Sequence, residues 1–287
     1  MDARHAHRTL EALGLAGSPR DQPLSYPGAW PAESGLLDGD LLLPLDRLSY
    51  RDRTPVLAVG SNASPAQLRY KLAVSGVRSA VPMVKSRVTG VEVGVSAHVS
   101  LLGYVSASPV EAPGRERELF VIWLDDTQLA VVDATEPNYD RVALSAPRFR
   151  VELENGETLP EVFSYVNRHG VLHDGTGAPR GHPGQRALIS ELLAGSPALR
   201  ILFGVTPEEF VARARADAGL CDRGTRLFAE AKMVTRSGLE DLRVVKIRVR
   251  HRVSVTVRVR HGGAREFALR RHSTHVRRTE SHHRPLP

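Results

Sequence analysis

Two short stretches carry residue types at spacings that could do chemistry. The first is Val56-Leu57-Ala58-Val59-Gly60-Ser61-Asn62, four apolar residues that stop at a Gly-Ser-Asn turn just before a helical pattern. A buried strand that ends in such a turn and opens a helix gathers free backbone N–H groups at one point, which suits an anion such as a carboxylate. The same residues also serve as a tight turn with a helix cap, so the pattern alone leaves both roles open. The second stretch runs from Leu124 to Leu144. It reads as a strand end, a short helix, and then a carboxylate, Glu136, in a Pro-Asn turn ahead of another strand. A carboxyl so placed can move a proton, or it can cap a strand or pair with Arg141 as a structural group. Near solvent, its contribution to stability is expected to be small.

His98 and Tyr104 lie in strand-like sequence that could line the same region, and Tyr139 follows the Pro-Asn turn. A histidine satisfied inside the core is the competing role for His98, and simple packing for Tyr139. His169, His173, Asp174 and His182 cluster in a Gly/Pro-rich loop. They share no fixed face, so no metal site is assigned, and the loop is expected at a cavity mouth. Cys221 is the single cysteine. It has no partner motif and reads as a small buried hydrophobe.

The elements that must hold these residues follow from periodicity. Residues 1–53 form an N-terminal extension. It holds a helical pattern from Arg8 to Leu15, then a Pro/Gly-rich stretch over residues 18–35 that Tyr26 and Trp30 would pin to the body. The body spans 54–236. Val56–Val59 is a strand, apolar on both faces and therefore expected at the centre of the sheet. Ser64 and Pro65 open a helix. Residues 88–110 alternate or run apolar and predict two strands or one long bent one, and residues 117–124 a further strand. Asp125 or Asp126 caps a short helix. Strands follow over 141–144, 148–159 and 161–170, with a hairpin turn at Asn155-Gly156. From Gly184 the period becomes helical, and Thr206-Pro207 with Glu209 makes a capping box.

In order and spacing, these motifs resemble the gamma-glutamylcyclotransferase-like superfamily. Members open with an apolar strand that ends in Tyr-Gly-Ser-Asn; Val59-Gly60-Ser61-Asn62 matches three of the four positions. They later carry a helix of the form Leu-Asp-x-x-Glu, then a Tyr and an Arg leading into a strand. Val132-Asp133-Ala134-Thr135-Glu136 with Tyr139 and Arg141 corresponds to this, and the resemblance spans residues 54–170. It implies an α+β fold, a small mixed β-barrel with flanking helices and a cavity at one mouth, here with N- and C-terminal extensions. It also implies an enzyme that lets the α-amine of a γ-glutamyl amine attack its own γ-carbonyl, releasing 5-oxoproline. Glu136 then falls on the catalytic acid/base, and Gly60, Ser61 and Asn62 on the loop that binds the substrate carboxylate. His98, Tyr104 and Tyr139 are further candidates for the cavity wall. No metal or cofactor is called for. Two positions depart from the pattern: Val59 replaces the Tyr, and Pro137 replaces a Gly after the Glu. A non-catalytic member of the same fold, binding a small carboxylate or a partner protein, is the alternative.

Composition limits the remaining classes. The chain has 287 residues, 41% hydrophobic and 25% charged, which fits a globular protein with one substantial core. No apolar run is long enough to span a membrane. The N-terminal residues have no continuous apolar stretch of the secretory kind, so a cytoplasmic location is expected. The net charge of +7 is unevenly distributed. From Lys232 to Pro287 there are 15 Lys+Arg against 4 Asp+Glu, leaving 24 against 28 in residues 1–231. The body is mildly acidic, so binding to nucleic acid could run only through the tail. Within residues 237–287, alternating Val/Ile and Arg/Lys give way to Arg/His-rich sequence whose only aromatic is Phe267. That tail is expected to be poorly ordered. The sequence leaves the oligomeric state open.

Overall fold

The computed structural model describes residues 7–45, 52–248 and 254–258. Its centre is a long antiparallel ribbon, β4 (Val81–Val99) and β5 (Val105–Leu124). The sequence predicts two strands or one long bent one over 88–110 and a further strand over 117–124; residues 105–110 and 117–124 are parts of one β5, which runs through Pro109 and Pro113-Gly114. The chain absorbs the Pro113-Gly114 break as a register shift. Thr89 faces Glu116 while Gly90 faces Ala112, so Pro113, Gly114 and Arg115 bulge out of β5 without ending it.

β3 (Thr54–Ala58) pairs antiparallel with β5 and parallel with β9 (Glu161–Asn167). It is therefore central, as its apolar sequence predicts, with Val56, Leu57 and Ala58 buried. β9 continues antiparallel to β6 (Tyr139–Ser145). The free edge of β4 is met in pieces by three short strands. These are β1 (Gly35–Asp38), which also pairs with β2 (Leu41–Leu43); β7 (Arg150–Leu153), which also pairs with β8 (Thr158–Leu159); and β10 (Val171–Leu172), followed by β11 (Val234–Thr235). β11 and β6 end the path and do not pair with each other. The expected closed barrel is therefore not formed. The architecture is α+β around an open mixed sheet, with the second edge of β4 taken up by these short strands.

Helix α1 (Pro65–Val74) follows the Gly60-Ser61-Asn62 turn. Ser64 stands at its N-cap position, but its hydroxyl is buried without a partner and caps nothing. Helix α2 (Asp126–Ala134) opens with a reciprocal cap between Asp125 and Gln128, and leads straight to Glu136. Helices α3 (Gln185–Gly195), α4 (Pro197–Phe203), α5 (Pro207–Ala216) and α6 (Ala218–Glu230) cover the C-terminal part of β4 and enclose Val95, Val99, Phe203, Phe210 and Phe228. The capping box at Thr206 and Glu209 forms as its sequence predicts. No helix among the described residues is long and apolar enough to cross a membrane.

The N-terminal extension is more ordered than its composition suggests. Arg8–Leu15 is a series of turns, not the expected regular helix, because Thr9 is drawn into a bridge with Leu41; Leu10 and Leu15 are buried. Tyr26 is buried against the body and Trp30 is partly so. At the other end, Ser237–Arg243, placed by sequence at the head of the basic tail, lie on the body. Leu239 is fully buried, and Glu111 donates its N–H to the Ser237 carbonyl at 2.8 Å. β12 (Val244–Arg248) and β13 (Ser254–Arg258) pair with each other as a separate two-stranded sheet. The rest of the expected tail, residues 249–253 and 259–287, lies outside the described residues.

Candidate functional site

The turn, α1, β5 and the segment after α2 enclose a cavity of about 420 Å³. Gly60, Ser61, Asn62, His98, Tyr104, Glu136 and Tyr139 all line it. The residues singled out from sequence thus converge on one space, although they come from four separate parts of the chain.

Glu136 is not the near-solvent turn carboxylate its sequence context suggests. The Lys71 ammonium donates to Glu136 Oε1 at 2.7 Å and to Asn62 Oδ1 at 2.8 Å, and Asn62 Nδ2 donates to the same Oε1 at 3.1 Å. The side chains of Lys71 and Glu136 are only 9% and 14% exposed, so this is a sheltered triad and not a surface pair. Both bonds to Glu136 end on Oε1, and among the described residues Oε2 has no hydrogen-bond partner. Arg141, the alternative partner, instead forms a forked pair with Asp133.

Lys71 is the residue that sequence reasoning missed. A lysine on a polar helix face ordinarily reads as solvated. The available signal was positional: Gln67, Lys71 and Ser75 recur at i, i+4 and i+8 on the helix opened by the turn, and all three line the cavity.

Among the described residues, the N–H groups of Ser61 and Asn62 donate to no acceptor, because the short 3₁₀ turn over Ser61–Ala63 uses only the N–H groups of Ala63 and Ser64. Both residues line the cavity, so two main-chain donors stand at its wall. Gly60 is required here by contact. A Cβ on it would run into the Tyr26 hydroxyl oxygen.

One wall is aromatic. The Ala107 N–H donates to the Tyr26 hydroxyl at 2.8 Å, and the Tyr139 hydroxyl donates to the Ala107 carbonyl at 3.0 Å. Tyr26 packs on Tyr104 with ring centroids 4.6 Å apart. Burial raises the pKa of all three phenols above the ordinary tyrosine value, and the Glu136 charge adds to the rise, so they act as neutral hydrogen-bonding walls. Tyr26 also places a hydroxyl beside Gly60, next to the position where Val59 lacks one.

His98 is buried, and its Nδ1 lies 2.9 Å from Asn167 Nδ2. The Asn167 Oδ1 accepts from the His169 N–H, so its amide nitrogen faces His98 and donates to Nδ1. That fixes the proton of a neutral ring on Nε2. Burial, reinforced by His169, lowers the His98 pKa to about 3. The ring is a neutral wall residue, as its core-histidine role requires.

The histidine-rich loop does not line this cavity. His173 bonds the Lys232 carbonyl, His182 packs on Tyr26, and His169 stacks on the far side of His98. Among the described residues, no group of three His, Cys, Asp or Glu side chains could hold a metal ion. Cys221 is buried, and burial raises its thiol pKa to about 11, as befits an inert packing residue.

Fold and site together define an α+β protein whose open sheet shelters a carboxylate–ammonium–amide triad in one cavity with two main-chain N–H groups that have no acceptor among the described residues. No family model matches the sequence, and no curated protein does. Among solved structures, the chain is similar to a gamma-glutamyl cyclotransferase at 12% identity and a TM-score of 0.35, covering 61% of this chain and 99% of that one. It is also similar to an Arabidopsis thaliana protein known from a solution structure, at 19% identity and a TM-score of 0.32, covering 52% of this chain and 82% of that one. An uncharacterised Homo sapiens protein matches at 16% identity and a TM-score of 0.30, over 41% of this chain and 68% of that one.

Proposed function

We propose that this chain is a cyclotransferase-type enzyme that acts on a γ-glutamyl amine or a related small amide and releases 5-oxoproline. The observation that carries the reading is that Glu136 and the Gly60-Ser61-Asn62 turn, paired by their motifs, line one cavity and are tied together through Lys71. The ligand carboxylate binds the Ser61 and Asn62 N–H groups. Holding the chain bent brings the α-amine to its own γ-carbonyl, and such proximity can supply several kcal/mol of the barrier. The new N–C bond closes the five-membered ring. Glu136 Oε2 takes the proton from the attacking nitrogen and returns it to the departing amine as the old C–N bond breaks. Oε1, held by Lys71 and Asn62, keeps the carboxylate oriented. The neutral phenols and the neutral His98 exclude water without competing for the proton.

One observation favours the non-catalytic alternative, in which the cavity only binds a small carboxylate. The Lys71–Glu136 pair would also stabilise the turn as a purely structural clamp. Incubation with a panel of γ-glutamyl amines and γ-glutamyl amino acids, followed by assay of 5-oxoproline, separates the two. Release from any member at a rate that depends on Glu136 supports the enzyme. Saturable binding without release assigns the binding role.

A further inference from the structure

The charged side chains lining the cavity are Arg20, Lys71 and Glu136. Lys71 and Glu136 neutralise each other, which leaves Arg20 as the charge in excess. Among the described residues, the Arg20 guanidinium makes no ion pair and no hydrogen bond. It lies over the Tyr70 ring, 4.4 Å from the centroid.

Its place is set by main chain. The Arg20 N–H donates to Gln67 Oε1 at 3.1 Å, and Ser18 Oγ donates to the same oxygen at 2.6 Å. The Arg20 carbonyl accepts from Arg215 at 3.3 Å. Ser18 and Gln67 are both buried. The N-terminal segment is thus fastened across α1, and its arginine lines the cavity with no group to neutralise it among the described residues. A guanidinium stacked on an aromatic ring keeps its in-plane N–H fork free, and that fork matches a carboxylate.

We infer that Arg20 is a specificity-determining residue that selects ligands carrying a second anionic group, remote from the end held by the Ser61-Asn62 turn. This rests on the reading of the cavity as a site for a small carboxylate. It adds that the N-terminal segment completes the site, and that a doubly anionic ligand is preferred over one with a single charge.

The test is titration calorimetry with succinate, glutarate, adipate and suberate, each beside its own monoamide, on the parent, Arg20→Gln and Arg20→Lys. A charge-assisted hydrogen-bonded contact predicts that the parent binds the best-fitting diacid roughly 10- to 100-fold more tightly than its monoamide. In Arg20→Gln that ratio falls to near one; Arg20→Lys keeps part of it, having charge without the fork. The melting transition is expected to stay in place, because none of the hydrogen bonds that fasten the segment uses the Arg20 side chain. The inference is overturned if the parent shows no preference, if it binds neither member of any pair, or if Arg20→Gln retains the ratio. A preference that depends on Arg20, with no 5-oxoproline formed from any γ-glutamyl compound, sinks only the proposed reaction.

Discussion

At the level of single residues, the Lys71–Glu136–Asn62 triad sets what a substitution can reveal. Glu136→Gln keeps the shape and an oxygen acceptor but cannot take a proton. Loss of general acid–base catalysis typically costs about 10²–10⁴ in rate. The same change leaves a sheltered ammonium facing an uncharged group, so it also destabilises, by about 1–3 kcal/mol. This corrects the expectation from sequence, where a turn carboxylate near solvent would cost little. Lys71→Met alone strands the opposite charge, and breaking one side of a sheltered pair costs on the order of 3–5 kcal/mol. In the Glu136→Gln background that charge is gone, so Lys71→Met should cost much less. Thermal melts of the parent, both singles and the double measure the coupling. Equal costs of Lys71→Met in the two backgrounds would mean that the pair does not hold the turn. Turnover of Glu136→Gln at the parental rate would remove the carboxyl from the mechanism.

At the level of elements, the contact between the N-terminal segment and the turn is tight enough to be tested by size. A methyl on Gly60 would run into the Tyr26 hydroxyl oxygen, whereas Gly60 φ is −143°, outside the left-handed region that favours glycine. The cost of Gly60→Ala is therefore one of overpacking, about 1–3 kcal/mol. Tyr26→Phe removes the obstructing oxygen, leaving the ring carbon at 3.5 Å. Gly60→Ala should thus cost distinctly less in the Tyr26→Phe background than alone, as measured by denaturant melts. Additive costs would place the two residues out of contact. The same elements show what the sequence could reveal. Gly60, Ser61, Asn62 and Glu136 were legible because local rules govern them: an apolar strand stops at turn residues, and a capped helix ends just before a carboxylate. Lys71 was not, because the turn of α1 toward the cavity is decided by packing. Arg20 and Tyr26 sit in a Pro/Gly-rich stretch with no period to assign a face. The sequence separates a strand over 117–124 from the pattern over 88–110, whereas β5 is continuous, because Pro113-Gly114 signals a turn as readily as a bulge. The barrel failed to close because strand pairing across the sheet is a long-range outcome that no local pattern encodes.

At the scale of the whole molecule, acid stability and the C-terminal boundary can both be predicted. The pKa of His98 is lowered on folding from an ordinary 6.5 to about 3, so the unfolded chain binds a proton there that the folded one refuses. Its contribution is fully present above pH 6.5 and is lost as the pH falls from there towards 3, with a slope of about 1.4 kcal/mol per pH unit. His169 and His182, also lowered by burial, act in the same direction. His98→Gln should flatten the acid limb of a stability–pH curve, and an unchanged limb would locate the sensitivity elsewhere. The boundary prediction follows from where the strongly basic segment leaves the body. Ser237–Arg243 are docked: Leu239 is buried among Phe149, Val91 and their neighbours, Arg148 reaches Asp241 and the Gly238 carbonyl, and Arg243 donates to the Asn167 carbonyl at 2.7 Å. β12 pairs with β13 and not with the large sheet. Removing 244–287 should therefore leave the cooperative melting transition where it is, since among the described residues no ladder of the large sheet is lost. Removing 237–287 also deletes Leu239, whose burial is worth about 1.5–3 kcal/mol, and the transition should move down accordingly. The exposed arginine pairs add little to that figure. Two truncations differing by seven residues should therefore melt apart. Coincident transitions would mean that residues 237–243 contribute nothing to the core, and loss of cooperativity in the shorter deletion would make the β12–β13 pair part of the body.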